Sequence, residues 1–246
     1  MNNKATAKSS GVRALSSVLK SLAVLDALTR SNRPLRLMEL AQALGESRAT
    51  TYQRLLTLTE GGWVEQTGEG AYRLSLQAAR AGNAALEQAN LGERSTEVLQ
   101  QLVLETRETA SLAALAGVQA QLIKRVEAEV VVRAQVQVGT LLSLDQSASG
   151  RVLTAFATPA QRALLERKGA TLASAALLRE VARRGYAVSS GKDVPGLKSV
   201  AAPVFDAKGT CLFALSLVAP TARFDEARLA RPVTRSAEKL SALLSG

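Results

Sequence analysis

Between Pro34 and Leu74 the chain reads PLRLMELAQALGESRATTYQRLLTLTEGGWVEQTGEGAYRL, and this stretch limits the fold more than any other. Leu37, Leu40, Ala41 and Leu44 recur at offsets of a 3.6-residue period, which predicts a short helix over Arg36–Leu44 with one apolar face. Gly45 suits its C-terminus, where the backbone needs positive φ. Ser47 then suits the N-cap of a second helix running to about Glu60, because a hydroxyl can accept from an orphan backbone N–H. Thr51, Leu55 and Leu58 would face inward. The other face carries Arg48, Thr50, Tyr52, Gln53, Arg54 and Thr57, with no carboxylate before Glu60, and so suits a polyanion. Gly61-Gly62 ends the helix. Trp63–Gln66 and Ala71–Leu74 read as strands joined by Thr67-Gly68-Glu69-Gly70, a hairpin turn. Two helices, a tight turn and a hairpin are the outline of a winged helix-turn-helix.

Ala14–Arg30 supplies a third helix, with Leu15, Val18, Leu19, Leu22, Leu25 and Leu28 at three- and four-residue steps before the Ser31–Pro34 break. After the hairpin, Ser75–Ala89 reads as a linker or dimer-forming helix. Gly92 separates it from a helix over Glu93–Arg107. From Thr109 the texture becomes mixed. Strands are expected at Ser111–Ala116, Gln119–Val126, Val130–Val132, Gln135–Val138, Leu141–Leu144, Tyr186–Ser189, Ser199–Phe205 and Cys211–Val218. Helices are expected at Arg151–Phe156 (opened by a small-residue loop, Ser147–Gly150), Pro159–Lys168, Ala173–Arg184 and Asp225–Leu244. This order points to an α+β domain with an antiparallel sheet.

Composition removes several functions. Histidine is absent, which excludes Ser-His-Asp and Cys-His nucleophiles and HExxH metal sites. Cys211 is the single cysteine, so no intrachain disulfide or CxxC site exists. It reads as a small apolar residue rather than a redox sensor. No metal or cofactor is expected. The net charge of +10 favours an acidic partner, nucleic acid ahead of membrane. Residues 1–80 hold 11 Lys+Arg against 6 Asp+Glu, about twice the net positive charge per residue of the remainder. No run approaches the roughly 20 apolar residues that span a bilayer, and the polar first residues lack a secretory apolar core. A cytoplasmic protein with a disordered basic arm is the expectation.

These residues carry a resemblance. Leu40–Leu74 resembles the DNA-binding domain of the IclR-type transcriptional regulators. The later segments Ala148-Ser149-Gly150, Arg184-Gly185-Tyr186, Gly196–Asp206 and Leu215-Ser216 resemble that family's effector domain, so the resemblance covers residues 12–245. It implies a winged helix-turn-helix over 12–76 after an arm at 1–11, a linker helix over 77–92, and a GAF-like effector and oligomerisation domain over 93–246. Three positions depart from the family pattern. Gln53 falls where Arg is usual, Arg54 where an apolar residue is usual, and Glu46 replaces an apolar residue in the turn. Either the helix presents Arg54 differently or operator reading differs.

The resemblance further implies a DNA-binding regulator, more readily a repressor, acting as a homodimer or dimer of dimers. Its operator binding would be modulated by a small organic or aromatic carboxylate. Ser47, Arg48, Thr50, Tyr52, Gln53, Arg54, Thr57 and Arg73 are the expected DNA-binding residues. Arg48 or Arg54 would grip guanine or phosphate and Gln53 adenine; Thr50, Tyr52 and Thr57 would position phosphates, and Arg73 would act from the wing. The effector carboxylate would sit on the N–H groups of Ala148 and Ser149 beside Gly150. Ser189, Ser199 and Ser216 would be polar wall residues, Ala134, Leu142 and Leu197 apolar ones, and Arg133 a potential counter-ion. The alternative class is a small-molecule-processing enzyme with an accessory nucleic-acid module, for which no spaced catalytic constellation is present.

Overall fold

The structure is a computed structural model and describes residues 14–88, 91–129, 136–189, 191–192 and 194–245. The chain divides into two compact units between Gly82 and Asn83.

The first unit contains α1 (Ser16–Thr29), α2 (Leu37–Leu44), α3 (Arg48–Glu60) and the hairpin β1 (Val64–Gln66) and β2 (Tyr72–Leu74). Val24 and Leu28 from α1, Leu40 from α2, and Leu55 and Leu58 from α3 meet Val64 and Tyr72 of the hairpin in one core. Gly45 ends α2 at φ 62°, the left-handed conformation that a Cβ disfavours. The hairpin pairs Val64 with Leu74 and Gln66 with Tyr72, and Leu35 adds a bridge to Tyr72 as a third short rung. The apolar stripe of α1 is only partly used. Leu15, Val18, Leu19 and Leu22 remain exposed, because this core closes on the C-terminal half of the helix.

Helix α4 (Leu76–Gln88) runs across the division and buries no residue. The second unit then builds α5 (Glu93–Thr106), β3 (Thr109–Ala116), β4 (Gln119–Val126), β5 (Leu141–Leu142), α6 (Ala148–Ala155), α7 (Pro159–Arg167), α8 (Ala175–Arg184), β6 (Ala187–Val188), β7 (Leu197–Phe205), β8 (Cys211–Pro220) and α9 (Glu226–Ser245). The six strands form one antiparallel sheet in the order β5-β4-β3-β8-β7-β6. Pro203 is tolerated inside β7 because the short β6 pairs only with Val200 and Ala201, leaving the outer edge free beside the proline.

Alternation along the strands gives the sheet two unlike faces. Leu112, Val200, Ala202, Leu215 and Leu217 pack under α5 and α9 with Leu99, Leu102, Leu229 and Val233. Ala113, Ala201 and Ala214 point the other way, and the latter two pack with Val152 and Leu153 of α6 and Val181 of α8. An ion-pair cluster and a lysine hydrogen-bond cluster tie the elements. Glu108, almost fully buried, is held by Arg223 and Arg228 at 3.0 and 3.1 Å. Lys124 donates to the carbonyls of Leu91 and Gly92 and to Ser95 Oγ at 2.7–2.8 Å, fixing the chain where α5 begins. Burial holds its ammonium below the usual lysine value.

Most expected elements are present with ends shifted by one or two residues. Ser147–Gly150 is the main difference. It is not a loop before the helix: Ser147 is the N-cap and Ala148-Ser149-Gly150 form the first turn of α6, all buried. The expected strand at Val130–Val132 and residue 135 of the next lie outside the described residues, and Val136–Val138 form no strand.

Gly150 is fixed by contact. A Cβ there would stand 2.2 Å from the Ser143 carbonyl oxygen and 2.6 Å from Leu144 Cα, both backbone atoms. Gly150→Ala is expected to destabilise the second unit by about 2–3 kcal/mol through overpacking, read as a lower midpoint in chemical denaturation.

Candidate nucleic-acid interface and effector cavity

The outer surface of α3 follows from its period. With about 100° per residue, burying Thr51, Leu55 and Leu58 centres the exposed face on Ala49, Gln53 and Leu56. Arg48 and Tyr52 flank this centre on one side, Thr50 and Thr57 on the other, all exposed. Ala49 and Leu56 were not anticipated, although the same periodicity places them there. Apolar groups of this kind can meet a thymine methyl.

Two hydroxyls of the expected set have local work. Ser47 Oγ accepts from the Thr50 N–H at 3.2 Å, the capping bond that starts α3, and lies 2.9 Å from Thr50 Oγ1. Thr57 Oγ1 donates to the Gln53 carbonyl at 2.9 Å. On the wing, Arg73 pairs across the hairpin with Glu65 at 2.6 Å, and both side chains stay largely in solvent.

Arg54 departs from the expectation. It is turned off the outer face, with its side chain only 13% exposed. Its Nε donates to Glu46 Oε2 at 2.8 Å and its Nη2 to Glu46 Oε1 at 3.2 Å, while Nη1 reaches the Ser17 carbonyl of α1 at 3.1 Å. Lys20 adds a second cation 3.3 Å from Glu46. The Arg54 hydrogen bond, helped by Lys20, holds the Glu46 carboxyl below its usual range. The two unusual residues of the sequence, Glu46 in the turn and Arg54 in the helix, are therefore partners. The guanidinium is committed to tying α1, the turn and α3 together rather than offered outward.

In the second unit, a cavity of about 50 Å³, room for several water molecules, lies between the small-residue face of the sheet and the start of α6. Leu142, Ser149, Ser189, Leu197, Ser199 and Ser216, all expected, line it. Ala148 and Gly150 do not. The Ala148 side chain is packed in the core of that face, and Gly150 lies against the Ser143–Leu144 backbone. Ala134 and Arg133 lie outside the described residues. Ser111, Leu122, Val136, Ser147 and Val218 complete much of the wall and were missed. Ser111 and Ser216 are direct cross-strand partners, visible only once β3 is known to pair with β8.

The start of α6 is built to leave donors free. Ser147 Oγ donates to the Ser143 carbonyl at 2.7 Å and accepts from the Gly150 N–H at 2.9 Å. The cap thus satisfies the third N–H, and the N–H groups of Ala148 and Ser149 precede it at the positive end of the helix dipole. Cys211 is half-buried beside this core, and burial pushes its thiol up to about 12, leaving no thiolate for redox chemistry.

A hairpin-winged three-helix head followed by a sheet-and-helix domain with a cavity has the form of a DNA-binding transcriptional regulator. Two family models match: the IclR helix-turn-helix domain over residues 17–68, and the bacterial transcriptional regulator IclR C-terminal domain over residues 83–242. The chain belongs to the IclR family of transcriptional regulators. It is 33% identical to the regulator BhcR of Paracoccus denitrificans (strain Pd 1222), over 90% of this chain and 82% of that protein. It is 30% identical to the transcriptional repressor IclR of Escherichia coli (strain K12), over 92% and 86%. The crystal structure of an IclR transcriptional regulator from Alicyclobacillus acidocaldarius superposes with a TM-score of 0.83 at 26% identity, covering 95% of this chain and 100% of that one. An IclR homologue from Microbacterium hydrocarbonoxydans, solved with 4-hydroxybenzoate, shares the fold with a TM-score of 0.76 at 20% identity, covering 93% and 99%. The relatives are transcriptional regulators, not enzymes. No described helix is long and apolar enough to cross a membrane.

If Glu46 and Arg54 are partners, their substitutions are not additive. Glu46→Leu and Arg54→Leu should each lower the melting temperature, and the double variant should recover most of the loss. A double variant as unstable as the sum of the two would show that the pair is not coupled.

Proposed function

We propose that this chain represses transcription from an operator read by α3, and that a small carboxylate bound in the cavity beside α6 sets its occupancy of that operator. The observation that carries the reading is the exposed α3 face, which carries Arg48 and is free of carboxylates before Glu60. Gln53, at the centre of that face, has the donor and acceptor pair that reads adenine in the major groove, and Arg48 takes guanine or a phosphate. Thr50, Tyr52 and Thr57 position the backbone, while Ser47 contributes through the helix start it caps. Arg54 serves the head by holding it in shape.

The effector reading rests on Ser149, whose N–H at the start of α6 is left over by the cap and which lines a cavity walled by serines and aliphatic side chains, an arrangement that suits a carboxylate. The 4-hydroxybenzoate held by the Microbacterium hydrocarbonoxydans homologue is consistent with an acid in this fold. Working at an operator calls for a symmetric dimer, since one winged head covers a short half-site. The unburied helix α4 and the exposed Leu15, Val18, Leu19 and Leu22 of α1 are surfaces suited to a second copy.

DNA flanking the coding region should be bound with an affinity that falls steeply with salt, as counterion release requires. Gln53→Ala should cost about 1–3 kcal/mol of specific binding and relax sequence preference at one base pair. Arg48→Ala should weaken binding, and Arg54→Ala should act mainly by lowering the melting temperature. Electrophoretic mobility shifts across a salt series test this, and salt-insensitive binding would refute it. For the cavity, a saturating small carboxylate should raise the melting temperature, because ligand binds only the native state.

A further inference from the structure

The hydroxyls around the cavity are not equally occupied. Ser147 Oγ both donates and accepts within the cap of α6. Ser189 Oγ accepts from the Ser199 N–H at 2.9 Å. Ser216 Oγ donates to the Ser111 carbonyl at 3.3 Å. Among the described cavity serines, Ser111 Oγ is the hydroxyl that is fully buried with no hydrogen-bond partner, the residue being only 2% exposed. Its direction is fixed by the strand: Leu112 next to it enters the α5/α9 core, and Ala113 packs with the cavity residues Leu122 and Val136. The Ser111 hydroxyl therefore faces the cavity from the sheet floor, on a different element from the N–H groups of α6.

A buried hydroxyl without a partner is costly, and such groups in folded proteins are normally satisfied by protein, water or ligand. We propose that Ser111 is the specificity-determining residue of this cavity, hydrogen-bonding a hydroxyl or carbonyl oxygen on the body of the carboxylate. This rests on reading the cavity as the effector site. The acid then meets two separate polar positions, its carboxylate at the start of α6 and a second oxygen at the sheet. A serine hydroxyl both donates and accepts, so it serves a hydroxy acid and an oxo acid alike. An acid lacking that oxygen leaves Ser111 buried and unpaired, and a site built around such a group rejects the deoxygenated analogue.

Calorimetric titration of the full-length protein with two matched sets tests the assignment: propionate, lactate and pyruvate, and benzoate with 4-hydroxybenzoate. In at least one set the oxygenated acid should bind about tenfold more tightly than its parent. Ser111→Ala should erase that preference while leaving the affinity of the parent acid unchanged, and Ser111→Thr should retain it. The melting temperature of the ligand-free Ser111→Ala protein should not fall, which separates recognition from a packing role. If the acids bind and Ser111→Ala keeps the wild-type preference, as it would were a fixed water the true partner, the Ser111 inference fails and the carboxylate site stands. Acids that bind without any preference overturn it equally. If no acid of either set binds, the reading of the cavity as a carboxylate site falls, and this inference with it.

Discussion

The second unit depends on one sheet having to bury two faces that differ in side-chain size. Leucine and valine fill the space beneath α5 and α9, while alanine and serine occupy the side toward α6. Small residues let a helix approach closely, and the close fit of Gly150 on the Ser143–Leu144 backbone is one result. They also leave unfilled volume where the floor is serine rather than leucine, and that volume is the cavity. Phe156 packs elsewhere against this core, and no aromatic ring among the described residues lines the gap. Core and cavity are thus consequences of the same alternation.

The polar groups inside that volume follow from backbone constraints. A helix start always leaves N–H groups without intrahelical acceptors. Ser147 satisfies one of them with its own hydroxyl and is itself anchored to the Ser143 carbonyl, so the first turn of α6 is held rigidly at the cavity edge. The donors that remain are held in place by the fold, which would limit the ordering cost of binding an anion there.

The head was largely legible from local signals, since a 3.6-residue period, a capping serine and a glycine turn are all encoded within a few residues. Arg54 was not, because its partner Glu46 lies eight residues away and its other acceptor, the Ser17 carbonyl, belongs to a different helix. Helical spacing cannot reveal an ion pair made across a turn. In the cavity, Ser189, Ser199 and Ser216 were reached through family resemblance. Ser111 was missed because one serine in the apolar run of β3 carries no local mark. Its significance comes from facing Ser216 across strands 105 residues apart. Small residues are poor helix signals, so sequence alone does not show the first turn of α6, where close packing requires them.

The Glu46–Arg54 pair bears on how new operator preferences can arise in this scaffold. The side chains at Ala49, Gln53 and Leu56 are exposed. Position 54 differs, since its side chain fastens α3 to the Ser17 carbonyl and to the preceding turn. A recognition helix transplanted from a relative with an apolar residue at that position would strand Glu46 beside Lys20 alone and loosen the seat of the graft. Exchange of α3 between this chain and its kin is therefore expected to require that positions 46 and 54 travel together.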